Sequence, residues 1–272
     1  MSWTGKRMRR LLLFLLIAAS LQGEGLILDE KGKKLLYTNL AGGAAVIAWG
    51  LWQWDYGERS MHSADEGWFG GGTENGGADK LGHAYTTYLL TRSLSSLYRG
   101  YGYDRHDAAM YGAFSSFFIN AVMEVGDAFS RYGFSKEDMV MNTLGSYAGY
   151  LFESDPELDA LADIRIEYFP SRAVREGDET DIITDYDGMK FLAAFKCDAM
   201  EPFAQTPMKY FEFHIGYYTR GNFSGNLERT AYIGVGLNLS RLLQSDYGAV
   251  NTLLEYYQVP YTYLPYEHDF HR

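Results

Sequence analysis

Two hydrophobic periods divide this chain, and the change falls near residue 164. Before it, apolar residues recur at helical spacing; after it, they alternate with polar ones. Residues 35–54 form the first helical block, 20 residues without a charge. That length could span a bilayer, and Trp49, Trp52 and Trp54 would suit an interfacial belt. Thr38, Asn39 and Gln53 lower its hydrophobicity and Gly42-Gly43 invites close contact, so a core helix of a bundle is the preferred reading. A polar, glycine-rich loop follows over 55–78, of a length that is usually functional or disordered. It lacks the acidic spacing of a calcium loop.

The second helix is expected over about 80–99, with Asp79 as its cap and Gly100 and Gly102 stopping it. The third is expected from Asp104 to about Tyr132; its uncharged centre, 108–123, is short for a span. Ser135, followed three residues later by Asp138, resembles a capping box and starts a fourth helix reaching about Phe152. Beyond Asp163, Ile164/Ile166/Tyr168, Met189/Phe191/Ala193/Phe195, Phe211/Phe213/Ile215/Tyr217 and Ile233/Val235/Leu237/Leu239 alternate as half-buried strands do. Arg220-Gly221-Asn222 and Ser224-Gly225-Asn226 supply turn chemistry. The predicted fold is α+β: an antiparallel bundle of about four helices, then a small antiparallel β-meander over roughly 164–240, within a β-rich region reaching 272. The tyrosine-rich tail from Tyr256 is expected to pack across the meander.

Helical spacing places Asn120, Glu124, Asp127 and Arg131 on one face of the third helix. Asp138 and Asn142 share a face of the fourth, which Gly145 and Gly149 continue. Short connections make neighbouring helices antiparallel, so the end of helix three meets the starts of helices two and four. Helix two brings Asp79, Lys80, His83 and Thr86 there. The candidate catalytic residues are His83, Glu124, Asp127 and Asp138. Asp79, Lys80, Arg131 and Asn142 form a supporting polar cluster, and Gly145 and Gly149 serve helix packing. Each has a plainer role open to it, in capping, pairing or packing; only their convergence argues for a site.

Charge and address narrow the partners. The formal charge of −11 argues against nucleic acid. Lys6, Arg7, Arg9 and Arg10, an apolar run over 11–19 and the small Ala18-Ala19-Ser20 read as a signal peptide over 1–20, with a retained N-terminal anchor as the less favoured alternative. Removing it would leave 20 basic against 35 acidic residues. Cys197 is the only cysteine, so no intramolecular disulfide forms and no cysteine sits at the cleavage position to take a lipid.

The composite Asp79-Lys80-x-x-His83, Glu124-x-x-Asp127 and Asp138-x-x-x-Asn142-x-x-Gly145-x-x-x-Gly149 resembles the YfiM-like family of uncharacterised bacterial envelope proteins (DUF 2279), related to the VanZ-like group. The resemblance covers the helical region, about 35–153, and implies a periplasmic or envelope-associated protein without an established reaction. Two functions remain open. The preferred one is a non-enzymatic envelope protein that binds a lipid or an envelope partner. The other is a hydrolase of phosphorylated or lipid-linked envelope substrates. In it His83 is general acid/base, Glu124, Asp127 and Asp138 hold a metal or water, and Lys80 or Arg131 meets the phosphate. No HExxH, GxSxG or P-loop supports the second. The cofactor and metal content are left unknown.

Overall fold

The computed structural model describes residues 28–178, 181–222, 226–243 and 248–270. The expected signal peptide and the Ser224-Gly225 turn lie outside them. Four long helices come first: α1 (Glu30–Gln53), α2 (Ala78–Gly100), α3 (Arg105–Asp127) and α4 (Lys136–Ser154). Three start on side-chain caps that the sequence supplies locally: Asp29 accepts from the amide of Gly32, Asp104 from Asp107 and Ser135 from Asp138. Helix α2 differs from expectation. Its cap is Gly77 at φ 89°, and Asp79 lies inside the first turn instead of capping it. Helix α3 ends five residues before the expected Tyr132. The chain turns at once, Gly133 (φ 88°) donates back to Asp127 O, and Arg131 leaves the helical stripe. Pro156 does not only end α4; it opens a further short helix, Pro156–Leu161.

Helices α2, α3 and α4 pack on one another, and Gly145 and Gly149 sit where α2 and α4 touch. A Cβ on Gly145 would lie 2.1 Å from the carbonyl oxygen of Ala84, and one on Gly149 2.5 Å from Thr91 Cβ. Helix α1 is not the core helix expected. Only Gly43 and Gly50 are buried along it, and α3 is its main helical neighbour. The ring of Tyr56 fills a slot between Gly50 and Gly126 and pins the end of α1 to the end of α3. Both α1 and α3 are long and apolar enough to cross a membrane, α3 more so than its uncharged centre suggested.

The second half is a five-stranded antiparallel meander in chain order: β3 (Ala162–Tyr168), β4 (Met189–Lys196), β5 (Phe211–Arg220), β6 (Glu228–Leu237) and β7 (Tyr263–Phe270). The tail does not pack across the sheet; it forms the fifth strand. A separate two-residue pairing joins β1 (Ser63–Ala64) in the glycine-rich loop to β2 (Phe134–Ser135) in the α3–α4 turn. The apolar faces of β3 and β4 pack on α2 through Ile164, Ile166 and Phe191 against Tyr85 and Tyr88. On the other sheet face the alternation is reversed from the usual sense: the polar residues are buried. Arg165 donates to Glu212 (2.6 Å), Asp163 (2.5 Å) and Gln258 (3.0 Å); His214 Nε2 lies 2.8 Å from Glu212, and Lys196 pairs with Asp163 at 2.8 Å.

A buried acidic centre at one end of the helices

The start of α2, the end of α3 and the start of α4 meet at one end of the bundle, with the glycine-rich loop over them. The loop is held from both sides. Phe134 N donates to His62 O (3.0 Å), tying it to the α3–α4 turn. From the sheet, Tyr217 OH donates to Gly76 O, Phe69 packs edge-on against Tyr217, and Arg229 donates to Phe69 O. This strapping carries Glu66 into the centre.

Lys80 is fully buried and acts as an internal counter-ion. Its ammonium pairs with Asp79 and Asp138 at 2.8 Å each, and with Glu66. His83 stands beside this group. Its Nδ1 is 3.5 Å from Glu124 Oε1 and 3.3 Å from Asn142 Oδ1; its Nε2 is 3.6 Å from Asp138 Oδ2. Asn142 also accepts from Thr87 Oγ1 at 2.9 Å. Thr87 therefore takes the place expected for Thr86, which is exposed. The capping box is completed by tertiary contact. Ser135 Oγ accepts from Asp138 N, but the Asp138 carboxylate faces Lys80, and Glu124 Oε2 receives the amide of Ser135 instead (3.4 Å).

The charges do not balance. Glu66, Asp79, Glu124, Asp127 and Asp138 share one lysine. Burial, reinforced by Asp138 and Asp127, pushes the Glu124 carboxyl up to about 9. Burial and the charges of Asp138 and Glu66 push Asp127 up to about 7. Burial takes Glu66 up to about 7 against the pull of Lys80. Burial also works against ionised Asp138, but His83 and Lys80 outweigh it and hold that group below its ordinary range. Lys80 is likewise held above its ordinary value, the acids Asp79 and Asp138 overcoming its burial.

Two carboxylate sets share Asp138. Glu66, Asp79 and Asp138 can offer ligand atoms within 4.8 Å of one another, as can His83, Glu124 and Asp138. The first set already surrounds the Lys80 ammonium. In the second, Lys80 touches only Asp138, and the ion-pair partner of Glu124 is His83. There Glu124, 1% exposed, leaves Oε1 without a hydrogen bond, and the wholly buried Asn142 leaves Nδ2 without one. Glu124 faces Nδ1 of His83 and Asp138 faces Nε2, so an ion would use one ring nitrogen; its ligand atoms, within 4.8 Å of one another, would close toward the spacing of about 3.4 Å that a tetrahedral zinc ion with ligands at about 2.1 Å requires.

His83, Glu124, Asp138, Lys80, Asp79 and Asn142 are thus in one place. Asp127 is at the same end, and its charge and that of Glu124 push the buried Tyr56 hydroxyl upward, after burial itself. Arg131 is not in the centre: it is exposed and donates to Tyr132 OH (2.7 Å). Asn120 is buried and bonds the carbonyl of Ser116 in its own helix. Glu66 and Tyr186 were missed by sequence reasoning. Tyr186 packs, half-buried, next to Gly82, and its hydroxyl is held well above its ordinary value by desolvation and then by Asp79, Asp138 and Glu66. Only the length of the loop hinted at Glu66, and nothing local marked Tyr186.

Residues 65–154 match the model of a family described as predicted periplasmic lipoprotein (DUF2279). That third of the chain contains Glu66 and every candidate residue named above, while the sheet lies beyond it. The description agrees with the periplasmic or envelope location expected from the sequence. No curated protein and no solved structure matches the chain.

Proposed function

We propose that this is an exported envelope hydrolase in which His83, Glu124 and Asp138 hold a divalent cation. The observation that carries the reading is Glu124: a buried carboxylate whose Oε1 takes no hydrogen bond and faces His83, with the Asp138 carboxylate close by. A cation there would replace the proton that burial otherwise puts on Glu124, and would make bound water a nucleophile near neutral pH. Lys80 has its donors committed to three carboxylates. The bound cation, and not Lys80 or Arg131, would therefore meet an anionic group of a phosphorylated or lipid-linked substrate. The resemblance to YfiM-like and VanZ-like proteins fits the helical half and supplies no reaction.

The test is metal content and turnover together. Protein purified without chelator or affinity tag is expected to carry about one equivalent of a transition metal by mass spectrometry. It should hydrolyse a generic phosphoester such as p-nitrophenyl phosphate, and His83→Ala and Glu124→Gln should lose both properties. Failure to take up zinc or manganese, with turnover unaffected by either substitution, would sink the reading. A lipid-binding role without catalysis draws support from a different feature, the outward face of the sheet.

A further inference from the structure

Beyond β4, the sheet face that packs on α2 continues uncovered, and β5 to β7 turn their apolar residues outward. Along β5, Glu212 and His214 are 0% and 1% exposed, while Ile215 between β4 and β6 is 58% exposed. Ile233 on β6 is 60% exposed and Leu264 on β7 81%. The register sets Ile215 opposite Ile233, Ile233 opposite Tyr266, Phe213 opposite Val235 and Val235 opposite Leu264, so these residues form one patch. No charged residue stands within it; Arg229 and His268 are at its rim. An exposed apolar patch of this kind marks an interaction surface.

We propose that this face lies against a lipid bilayer. The patch does not stop at the sheet. A groove of about 490 Å³ joins it to α4, with Ile215 and Ala231 on one wall and Leu144 and Ala148 on the other. From Leu144 the outward row of α4 runs on through Val140 and Tyr147, and the neighbouring α3 exposes Phe114, Phe118 and Val125. Helix α1 extends the same character: it is long and apolar enough to cross a membrane, with only 11% of its apolar window buried. Lys31, Lys33 and Lys34 stand at its start, and Trp49 and Trp52 near its end, where amphipathic side chains meet lipid headgroups. A protein partner would fit a patch bounded by the sheet; this one is joined to the helices through the groove of Ile215, Ala231, Leu144 and Ala148. The alternation, apolar outward and polar inward, is the sense that lipid-facing strands adopt. The inference does not require the acidic centre to be catalytic.

The experiment reads insertion locally. An environment-sensitive NBD label is placed on the full chain at Ile233→Cys or Leu264→Cys, and at Glu228→Cys on the polar face of β6 as the control. Native Cys197 is buried and stays unlabelled, which unchanged labelling stoichiometry and melting temperature confirm. On adding phosphatidylcholine–phosphatidylglycerol vesicles, the first two labels should brighten several-fold. They should also become quenchable by bromine-carrying acyl chains and shielded from iodide, with no loss at high salt; the control should not change. Labels that stay open to iodide in the presence of vesicles overturn the proposal. So do labels already shielded without vesicles, which would place a second copy or the chain's own first 27 residues on the face.

Discussion

The helical half has two charged ends, and they are built differently. Around Glu153 each acid has an arginine partner. Arg92 donates to Glu153 (2.6 Å) and pairs with Asp159 (2.7 Å), Arg99 adds a second contact to Glu153, and Arg105 donates to the Glu153 carbonyl (2.6 Å). Around Asp138, five carboxylates share one lysine, and burial keeps Glu124, Asp127 and Glu66 protonated well above their ordinary range. A group that only holds helices together gains by pairing every charge, because an unpaired buried charge is costly. An end that leaves buried acids without a counter-charge is better explained by something it binds. That is why the acidic end, and not the arginine-rich one, is read as the site.

The largest expected effect breaks the matched end. Glu153→Ala leaves Arg92 buried beside one partly exposed acid, and should cost about 3–5 kcal/mol in denaturant unfolding. The guanidinium does not titrate, so the loss should be the same from pH 5 to pH 9. Equal stability of the variant would remove the premise of the comparison. Lys80→Met attacks the other end and should cost about 3 kcal/mol near neutral pH, because Asp79, Asp138 and Glu66 lose their only ammonium. Here the loss should shrink at pH 5, where the acids can take up protons instead. A loss independent of pH would mean that the two ends behave alike.

A smaller effect, of a few degrees in melting temperature, belongs to Glu124→Gln in chelator-treated protein. Glu124 rises from 4.5 to about 9 on folding, so the folded state binds the extra proton between those values. The stability it confers is complete below pH 4.5 and disappears as pH rises through about 9. The parent should therefore lose stability steadily from pH 5 to pH 9, and the variant should show a flatter profile. A parent profile that rises across this range would show that Glu124 is ionised in the folded protein. The smallest effect should come from Arg131→Ala, which leaves melting temperature and metal content unchanged, since the side chain is exposed and outside the centre.

Much of the helical half is legible in local chemistry. Asp104 and Ser135 start their helices as their positions imply, and Gly145 and Gly149 occupy a contact where a Cβ would strike the neighbouring helix. The spacing of His83, Glu124, Asp138 and Asn142, with short turns between helices, suffices to bring them to one end. Arg131 departs from that pattern because α3 stops at Asp127, where Gly133 closes a turn that lets β2 pair with β1. No helical wheel contains that event.

The chain's own order of residues determined the two periods, the four helices, the meander and the helix-borne part of the acidic centre, because each rests on neighbours within a few positions or on turns too short to permit another arrangement. Tertiary structure alone decided the rest. Glu66 and Tyr186 reach the centre from a loop and from the second half of the chain, and α1 lies at the margin of the bundle although its composition suits a core. The same holds for the sheet. Alternation shows that a strand has an apolar and a polar face; which face is covered depends on what packs against it. Here Arg165, Glu212, His214 and Gln258 satisfy one another inside, and the apolar face of β5 to β7 is left outward.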